Sequence, residues 1–224
     1  MLIDLHTHTT RYSSCAKSSP EEMVAEAIRV GLDGIVITEH DVMWADAELA
    51  ALQAAFPRIV LFRGVEITDA EGNDFVLYGL TQPEHFWRGM PAAALIREAR
   101  AQGGAIILAH PFRFRPEVPA AIWDEPIDGI EVASTNILGY WTRDLMALRA
   151  RLGVNAIAAS DAHHVSRLGT FATRFPLPLR DDAALAAALR AGGLSLCVDV
   201  PRIEAYEPRY VPELAALGAI LVAG

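Results

Sequence analysis

Short apolar runs alternate with helical patterns along most of this 224-residue chain, and this alternation limits the possible folds more than any other feature. The runs are rich in β-branched residues and are mostly short enough for buried strands. They cover residues 2–5, 35–38, 59–62, 75–78, 105–109, 130–132, 156–159 and 195–198. Strands that alternate with helices predict a parallel sheet with right-handed crossovers, and about seven such units can close into a barrel. An open, doubly wound sheet is the alternative.

The clearest helix signal follows the first run. Ser19 is a capping residue, Pro20 suits the first helical position and Glu22 completes a capping box, so a helix is predicted to begin here and to end at Gly31. Further helices are predicted over residues 46–56, 91–102, 142–152 and 181–191.

Two further features concern the chain's organisation. The run 75–78 follows a turn-like stretch at 71–74, which predicts the return arm of a hairpin. No internal repeat or linker divides the chain, so we predict one domain, 1–224, with a barrel over about residues 1–200. The extension 201–224 is expected to pack on the outside.

Composition narrows the choice of partners and compartment. The formal net charge of -9 argues against a long nucleic-acid duplex as main partner, although a small anion can still enter a locally positive pocket. Cys15 and Cys197 are too few and too far apart for a disulfide framework. The first residues do not form a secretory signal, and no apolar run is as long as a membrane span. We therefore expect a cytoplasmic protein without a membrane partner.

Histidine and carboxylate residues collect where the predicted strands end. Because side chains alternate along a strand, His6 and His8 face the same way and can grip one cation. The later strand ends carry Glu39, His40, Asp41, Glu66, His110, Glu131, Asp161 and His163. Barrels and open α/β sheets place their active sites at this end, so the sequence predicts one polar cluster there.

This mixture of ligands predicts a metal centre. Imidazole and carboxylate together suit zinc, manganese or iron, and Glu66 is a natural bridge between two ions. A cluster of two or three divalent ions produces hydroxide from bound water near neutral pH and offsets the charge of a phosphoryl transition state. A separate serine or cysteine nucleophile is then unnecessary.

Five motifs in this order resemble the PHP family, the polymerase and histidinol phosphatase domain. They are Asp-Leu-His-Thr-His, Ile-Thr-Glu-His-Asp, Gly-Val-Glu, Ala-His-Pro and Ser-Asp-Ala-His, and the resemblance runs from Met1 to about Gly193. It implies a distorted (β/α)7 barrel of mainly parallel strands, a metal cluster at the carboxyl end of the strands, and phosphoesterase activity.

The resemblance also implies roles for individual residues. One metal is assigned to His6, His8, Glu66 and Asp161. A second is assigned to Glu66 with His110, and a third to His40 with His163. Glu131 is expected in the shell of the second metal, where the family often has histidine, and a carboxylate there favours manganese or magnesium. Glu66, Asp161 and His163 are the expected catalytic residues.

The sequence departs from the family pattern at residues 11–15. Many members place an Asp or His ligand for the third metal there, whereas this chain reads Arg-Tyr-Ser-Ser-Cys. Cys15 is either a thiolate ligand or an ordinary loop cysteine. Occupancy of the third site therefore stays open.

Residues around the cluster have expected supporting roles. Glu39 and Asp4 are expected to orient ligands, and Asp41 either caps the following helix or lines a loop. Arg113 and Arg167 are expected to bind the substrate phosphate. Other candidates for substrate contact are Arg115, Arg11, Lys17, Trp44, Phe112, Tyr140 and Trp141.

The leading hypothesis is hydrolysis of a phosphomonoester or phosphodiester on a small molecule. An amidohydrolase-like reaction at a carbonyl carbon is one alternative, but the usual lysine or later isolated histidines are not found. A catalytically silent metal-binding or regulatory domain is another, and the nearly complete ligand set argues against it. Substrate identity, native metal and oligomeric state stay open.

Overall fold

The fold is a computed structural model that describes residues 1–137, 141–206 and 220–221. These residues form ten strands and six α-helices. In chain order they are β1 (Leu2–Thr7), α1 (Pro20–Arg29), β2 (Gly34–Ile37), α2 (Asp46–Ala55), β3 (Val60–Thr68), β4 (Asp74–Tyr78), α3 (Ala92–Ala101), β5 (Ala105–Leu108), β6 (Gly129–Ala133), α4 (Thr142–Leu152), β7 (Asn155–Ala158), β8 (Phe171–Arg174), α5 (Asp182–Ala191), β9 (Ser195–Val198), α6 (Val200–Tyr206) and β10 (Ile220–Leu221).

Strands β1–β9 form a distorted α/β barrel, which confirms the predicted fold class. The sheet order is β10-β9-β8-β1-β2-β3-β4-β5-β6-β7. Strand β7 lies against β8, where the hydroxyl of Thr173 donates to the carbonyl of Ala158 at 2.8 Å and accepts from its N–H at 3.2 Å. Side-chain hydrogen bonds thus help to hold β7, the last strand in the sheet order, against β8 and so close the barrel.

The barrel contains more antiparallel strand pairs than the predicted barrel of seven mainly parallel strands. Pairs β1–β2, β2–β3, β5–β6, β6–β7 and β9–β10 are parallel, whereas β3–β4, β4–β5, β1–β8 and β8–β9 are antiparallel. The hairpin predicted at 75–78 is confirmed as β3–β4. Strand β8 was not predicted, because its four residues lie in a stretch rich in turn signals between Gly169 and Pro176.

Helix α1 begins and ends where the sequence predicts. The N–H of Glu22 donates to Oγ of Ser19 at 3.2 Å, and the N–H of Ser19 donates to the Glu22 carboxylate at 2.7 Å. A cap of this kind stabilises a helix by about 1 kcal/mol. Met23, Val24 and Ala27 form its buried face. The other four predicted helices are confirmed as α2–α5.

One buried cluster joins side chains of β1–β5 and β7 with one face of α5. Gly79 follows β4 at the end opposite to Asp74, and a Cβ atom there would lie 2.6 Å from Cβ of Ala186. Only glycine allows this approach of α5, and its φ of +67° is also in the left-handed region. Helix α5 therefore packs against the barrel away from the ends of β1, β2 and β3, where the polar residues collect.

Helix α6 extends the fold beyond the barrel. The guanidinium of Arg202 donates to Glu26 of α1 at 3.1 Å and to the carbonyls of Val165 and Ser166 at 3.3 Å. Most of the predicted extension 201–224 lies outside the described residues, so its packing stays a prediction. Within the described residues, no helix is long and apolar enough to cross a membrane.

Candidate metal centre

The structure brings the strand-end histidines and carboxylates together. His6 lies in β1, Glu66 in β3 and Glu131 in β6, and the remaining members follow the ends of β1, β2, β5 and β7. Buried members are His6, His8, Glu66, His110, Glu131 and Asp161, while His40 and His163 are partly exposed. The cluster therefore has a buried floor and an open side.

Hydrogen bonds fix which nitrogen of His6 and of His8 faces the cluster. Nδ1 of His6 donates to Oε1 of Glu131 at 2.7 Å. Nδ1 of His8 lies 3.2 Å from Oγ of Ser13, whose hydroxyl donates to Oε2 of Glu39 at 2.5 Å. Because both Nδ1 atoms are used as donors, both Nε2 atoms keep their lone pairs for a metal.

Four buried atoms without a hydrogen-bond partner converge at the centre. They are His6 Nε2, His8 Nε2, Asp161 Oδ1 and Glu66 Oε2, and the last of these also lies 2.8 Å from Nδ1 of His40. The two nitrogens lie 3.4 and 3.3 Å from the Glu66 oxygen, and 3.5 and 3.2 Å from the Asp161 oxygen. In a tetrahedral site with bond lengths of about 2.0–2.1 Å, ligand atoms lie roughly 3.3–3.4 Å apart. The four residues therefore fit one divalent ion, and they are the set assigned to the first metal.

Three further groups share residues with this site, and one of them joins His6, His110 and Asp161. Oε1 of Glu66 lies 3.0 Å from Nε2 of His110, and Asp74 places a carboxylate oxygen within 4.8 Å of both ligand atoms. Across the site, His8, His40 and His163 also bring one nitrogen each within 4.8 Å. Since the two oxygens of Glu66 face different groups, the arrangement fits a polynuclear centre.

The carboxylates dominate the electrostatics of the floor. Burial disfavours the charged form of His6, but Asp161, Glu131 and Glu66 outweigh it and raise its pKa well above the usual value. Burial likewise opposes ionisation of Glu66 and Asp161, yet the neighbouring imidazoles hold both pKa values below their usual range. This part of the site attracts cations.

His163 differs from the floor histidines. Burial, with the nearby charge of His8, lowers its pKa to about 4. Its Nδ1 lies 3.1 Å from the backbone carbonyl of Asp161, so Nδ1–H is the donor and Nε2 is available. His163 is therefore neutral near pH 7, in the form that binds a metal.

Backbone strain marks the same region. Asp41, His110, Phe112 and Asp161 have φ values of 59°, 25°, 71° and 50°, and they are the only non-glycine residues with positive φ in the described part of the chain. Each such residue costs of order 1–3 kcal/mol and persists where its surroundings hold it. Two of the four, His110 and Asp161, belong to the metal groups.

Glu131, a predicted ligand of the second metal, contacts two other members of the site. Its Oε1 accepts from His6, and its Oε2 accepts from the N–H of His110 at 2.8 Å. It belongs to none of the four groups that bring ligand atoms together in the described residues. Its contacts are those of a residue that orients His6.

The supporting residues follow the expectations in part. Glu39 acts on His8 through Ser13 and also accepts from Thr9 and Trp44. Among the described residues, Asp4 contacts no imidazole ring: its carboxylate accepts from the backbone N–H groups of Ser160 at 2.9 Å, Gly169 at 3.0 Å and His6 at 3.5 Å.

Asp41 does not cap the following helix, because α2 begins five residues later at Asp46. It instead forms an ion pair with Arg88 at 3.2 Å.

A cleft of about 640 Å³ opens over the cluster and is lined in part by His40, Asp74, Arg88, Arg113 and His163. Nη1 of Arg113 lies 3.4 Å from Oδ2 of Asp161, next to the proposed metals. Arg167, the other arginine expected to bind substrate, is not among the lining residues and lies in the short turn Val165–Arg167.

The structure also shows the positions of Cys15 and of the aromatic residues that the sequence suggests for substrate contact. Cys15 lines the cleft, and burial together with the carboxylates of Glu66, Asp161 and Glu39 raises the pKa of its thiol. Trp44 is buried and bonds Glu39, while Phe112 and Trp141 pack partly against the core. Tyr140 lies outside the described residues. The exposed aromatic residues at the cleft are instead Tyr12 and Phe114.

Sequence reasoning missed three members of the site. Asp74 is the first residue of β4, which runs antiparallel to β3 and β5. The amino end of β4 therefore lies at the same edge of the sheet as the carboxyl ends of β3 and β5. The turn at 71–74 was the available signal. Ser13 and Asn136 lie in loops, and the amide of Asn136 donates to Oδ2 of Asp161. No sequence pattern predicts the contact of Ser13 with His8 or that of Asn136 with Asp161.

The barrel and its buried donor set define an α/β protein built around a metal site. A model of the PHP domain matches residues 4–148, and one described as PHP-associated matches residues 143–194. The chain therefore belongs to the PHP domain family. No curated protein matches the chain.

Several solved structures share the fold. A two-domain protein from Bacteroides vulgatus, containing a predicted PHP-like metal-dependent phosphoesterase, is 22% identical with a TM-score of 0.69, over 93% of this chain and 69% of that one. PsfC from Pseudomonas syringae is 18% identical with a TM-score of 0.68, over 96% and 98%. An amidohydrolase from Chromobacterium violaceum is 18% identical with a TM-score of 0.62, over 84% and 96%.

Proposed function

We propose that this protein is a metal-dependent phosphoesterase that hydrolyses a phosphomonoester or phosphodiester bond in a small molecule. The observation that carries the proposal is the convergence of four buried, unpartnered ligand atoms from His6, His8, Glu66 and Asp161. Unpaired buried polar atoms are costly, and a cation removes that cost. Family membership supports the same activity.

Bound divalent ions would activate water and offset negative charge on the phosphoryl oxygens. The protein's own residues prepare the site for them. Asn136 and Arg113 engage Oδ2 of Asp161, which leaves Oδ1 directed at the cluster. Glu131 and Ser13 hold the two floor imidazoles in the tautomer that binds metal.

Arg113 is the residue that we assign to the substrate phosphate. Its side chain is partly exposed in the cleft, and its planar guanidinium can donate two hydrogen bonds to phosphate oxygens. Arg88 supplies a second positive charge on the cleft wall, where it pairs with Asp41. These charges favour an anionic substrate at a site within an otherwise acidic protein.

The size of the cleft supports a small substrate. Small-molecule sites typically enclose about 300–1,000 Å³, and the cleft here measures about 640 Å³. The net charge of -9 disfavours a long duplex. We accordingly propose a small phosphorylated substrate, with no membrane partner and a cytoplasmic location.

The test counts metals and measures hydrolysis in the same preparation. Protein purified without chelator is analysed for bound metals and assayed with a generic phosphomonoester, a phosphodiester and a cyclic amide. His8→Ala should lose metal and hydrolysis. His85→Ala is the matched control, because His85 pairs with Glu98 on the surface and should behave as wild type.

Each outcome separates the candidate functions. Phosphoester hydrolysis that depends on His8 supports the proposal. Amide hydrolysis alone would point to the amidohydrolase-like reaction. Bound metal without hydrolysis of any substrate, even after manganese or zinc is added, would favour a silent metal-binding domain.

A further inference from the structure

We propose that Asp74 is a protein ligand of the second metal and that Glu131, the residue at the expected ligand position, orients His6 instead. This inference rests on the metal cluster of the proposed function, but it does not depend on which bond the enzyme breaks. It assigns the second ion to Glu66, His110 and Asp74.

The contacts of Glu131 argue against direct metal binding. The side chain is fully buried, and each oxygen already accepts a hydrogen bond: Oε1 from His6 at 2.7 Å and Oε2 from the backbone N–H of His110 at 2.8 Å. Turning this carboxylate towards a metal would leave a buried N–H group unpaired, which is unfavourable. It would also release the ring of His6.

Strand pairing places Asp74 where it can bind the second metal in place of Glu131. Thr68 pairs with Asp74 and Glu66 with Val76 in the antiparallel β3–β4 ladder, so Asp74 lies on the strand beside Glu66 and two residues nearer the cleft. One oxygen of Asp74 accepts from the hydroxyl of Thr68 at 2.6 Å. Among the described residues, no side chain donates to the other oxygen, and Asp74 lines the cleft.

Glu66 provides an independent sign that a cation belongs here. It is buried, with one oxygen unpartnered towards the first group and the other 3.0 Å from His110. A carboxylate placed in this way could contribute one oxygen to each of two ions. A second ion beside His110 then needs a further protein ligand on the open side, where Asp74 lies.

The chemistry of this group differs from that of the first. Glu66 and Asp74 contribute oxygen atoms and His110 one nitrogen, whereas the first group has two imidazole nitrogens. A site richer in carboxylate oxygen favours manganese or magnesium relative to zinc. The two ions of the centre are therefore expected to differ in selectivity.

The experiment counts manganese and does not use catalysis. Wild type and the variants Asp74→Ala, Asp74→Asn, Glu131→Gln and Glu71→Ala are titrated with Mn²⁺ to saturation by equilibrium dialysis, with circular dichroism as the check on folding. Glu71 is the control, since it is exposed in the same hairpin turn. Electron paramagnetic resonance reports whether two Mn²⁺ ions remain coupled.

We expect both Asp74 variants to bind the second Mn²⁺ at least tenfold more weakly and to lose the coupled signal. Glu71→Ala should match wild type. Glu131→Gln should keep the full count at saturation while binding the first ion about 10–100-fold more weakly, as for loss of an outer-shell partner. The proposal is overturned if Asp74 variants keep the full count, if Glu131→Gln loses an ion at saturation, or if wild type binds fewer than two ions.

A second substitution tests the same ligand by the appearance of a new absorption band, so that a loss of metal caused by misfolding cannot be mistaken for support. Asp74→Cys loaded with Co²⁺ should develop a thiolate-to-cobalt charge-transfer absorption that wild type, which has Cys15 in the cleft, lacks. A folded variant without this band would contradict ligation by residue 74. Failure of wild type to hydrolyse any phosphoester would remove the proposed function and leave both metal tests interpretable.

Discussion

The hydroxyl oxygen of Ser13 lies 3.2 Å from Nδ1 of His8. Since the same hydroxyl donates to Glu39, its oxygen is an acceptor for His8 and also for the N–H of His40. A loop serine thus sets the tautomer of one histidine and holds the backbone of another. This places an uncharged residue, Ser13, in the segment where many relatives place a metal ligand.

Ser13→Ala should therefore weaken metal binding. Loss of an outer-shell partner typically costs 10–100-fold in affinity, and we expect a loss in this range because the ring of His8 becomes free to rotate. Titration calorimetry with Mn²⁺ or Zn²⁺ measures it. Ser14→Ala is the control, since Ser14 is exposed beside it. Equal affinity of the two variants would show that Ser13 has no orienting role.

Arg113→Ala should lower kcat/KM for a phosphomonoester by about 10–100-fold. This is the range expected from losing a charge-assisted hydrogen bond of about 1.5–3 kcal/mol. Arg113→Lys should recover only part of the loss, because a lysine cannot form the bidentate contact. Arg115→Ala, at an exposed residue two positions away, should change little. The assignment of Arg113 would be wrong if Arg115→Ala caused the larger loss.

Metal affinity should fall as the pH falls. Burial opposes protonation of His6, His8 and His110, but the surrounding carboxylates raise the pKa of each above its usual value. A histidine must be neutral to bind metal, so protons compete with the ion up to a higher pH than at an ordinary histidine. Calorimetry in buffers of different ionisation enthalpy, between about pH 6 and 8, measures the protons released. Affinity independent of pH over this range would contradict the expectation.

His163 should not contribute to this dependence. Its pKa is lowered to about 4, first by burial and then by the charge of His8, so it stays neutral throughout that range. His163→Ala should therefore change the number of ions bound without changing the number of protons released per remaining ion. A reduced proton release per ion in this variant would indicate that His163 is protonated in the free protein.

Asp4 should make stability depend on pH in the metal-free protein. Burial raises its pKa from 3.8 to about 6, so folding favours the protonated form. Its contribution to stability is complete below about pH 4 and is lost as the pH rises through about 6, by about 3 kcal/mol in total. Urea unfolding in chelator should show the difference between wild type and Asp4→Asn falling over this range. A constant difference would contradict the shift.

The sequence predicts the parts of the fold that depend on local patterns. The cap at Ser19 and the apolar spacing of Met23, Val24 and Ala27 define α1 without any tertiary contact. His6 and His8 were found for a similar reason, because a strand end and a period of two are visible in the sequence. These features need only a few neighbouring residues.

The missed features depend on contacts between distant segments. Asp74 reaches the site because β4 runs antiparallel, and this direction reverses which end of the strand faces the cleft. Asn136 meets Asp161 from another loop, 25 residues away in the chain. The resemblance implies that Glu131 binds the second metal, whereas its hydrogen bonds to His6 and His110 depend on how three strands come together. Local sequence patterns carry no information on such partners.

The pairing of the first strand has a consequence for synthesis of the chain. The N–H of His8 bonds the carbonyl of Ala162, and β1 pairs with β8, more than 160 residues later. At roughly 5–20 residues per second, a ribosome adds His163 roughly 8–30 s after His6. Throughout that interval His6 and His8 are translated but lack Asp161, their partner at the first metal. Assembly of the complete first metal site must therefore wait until Asp161 has been translated.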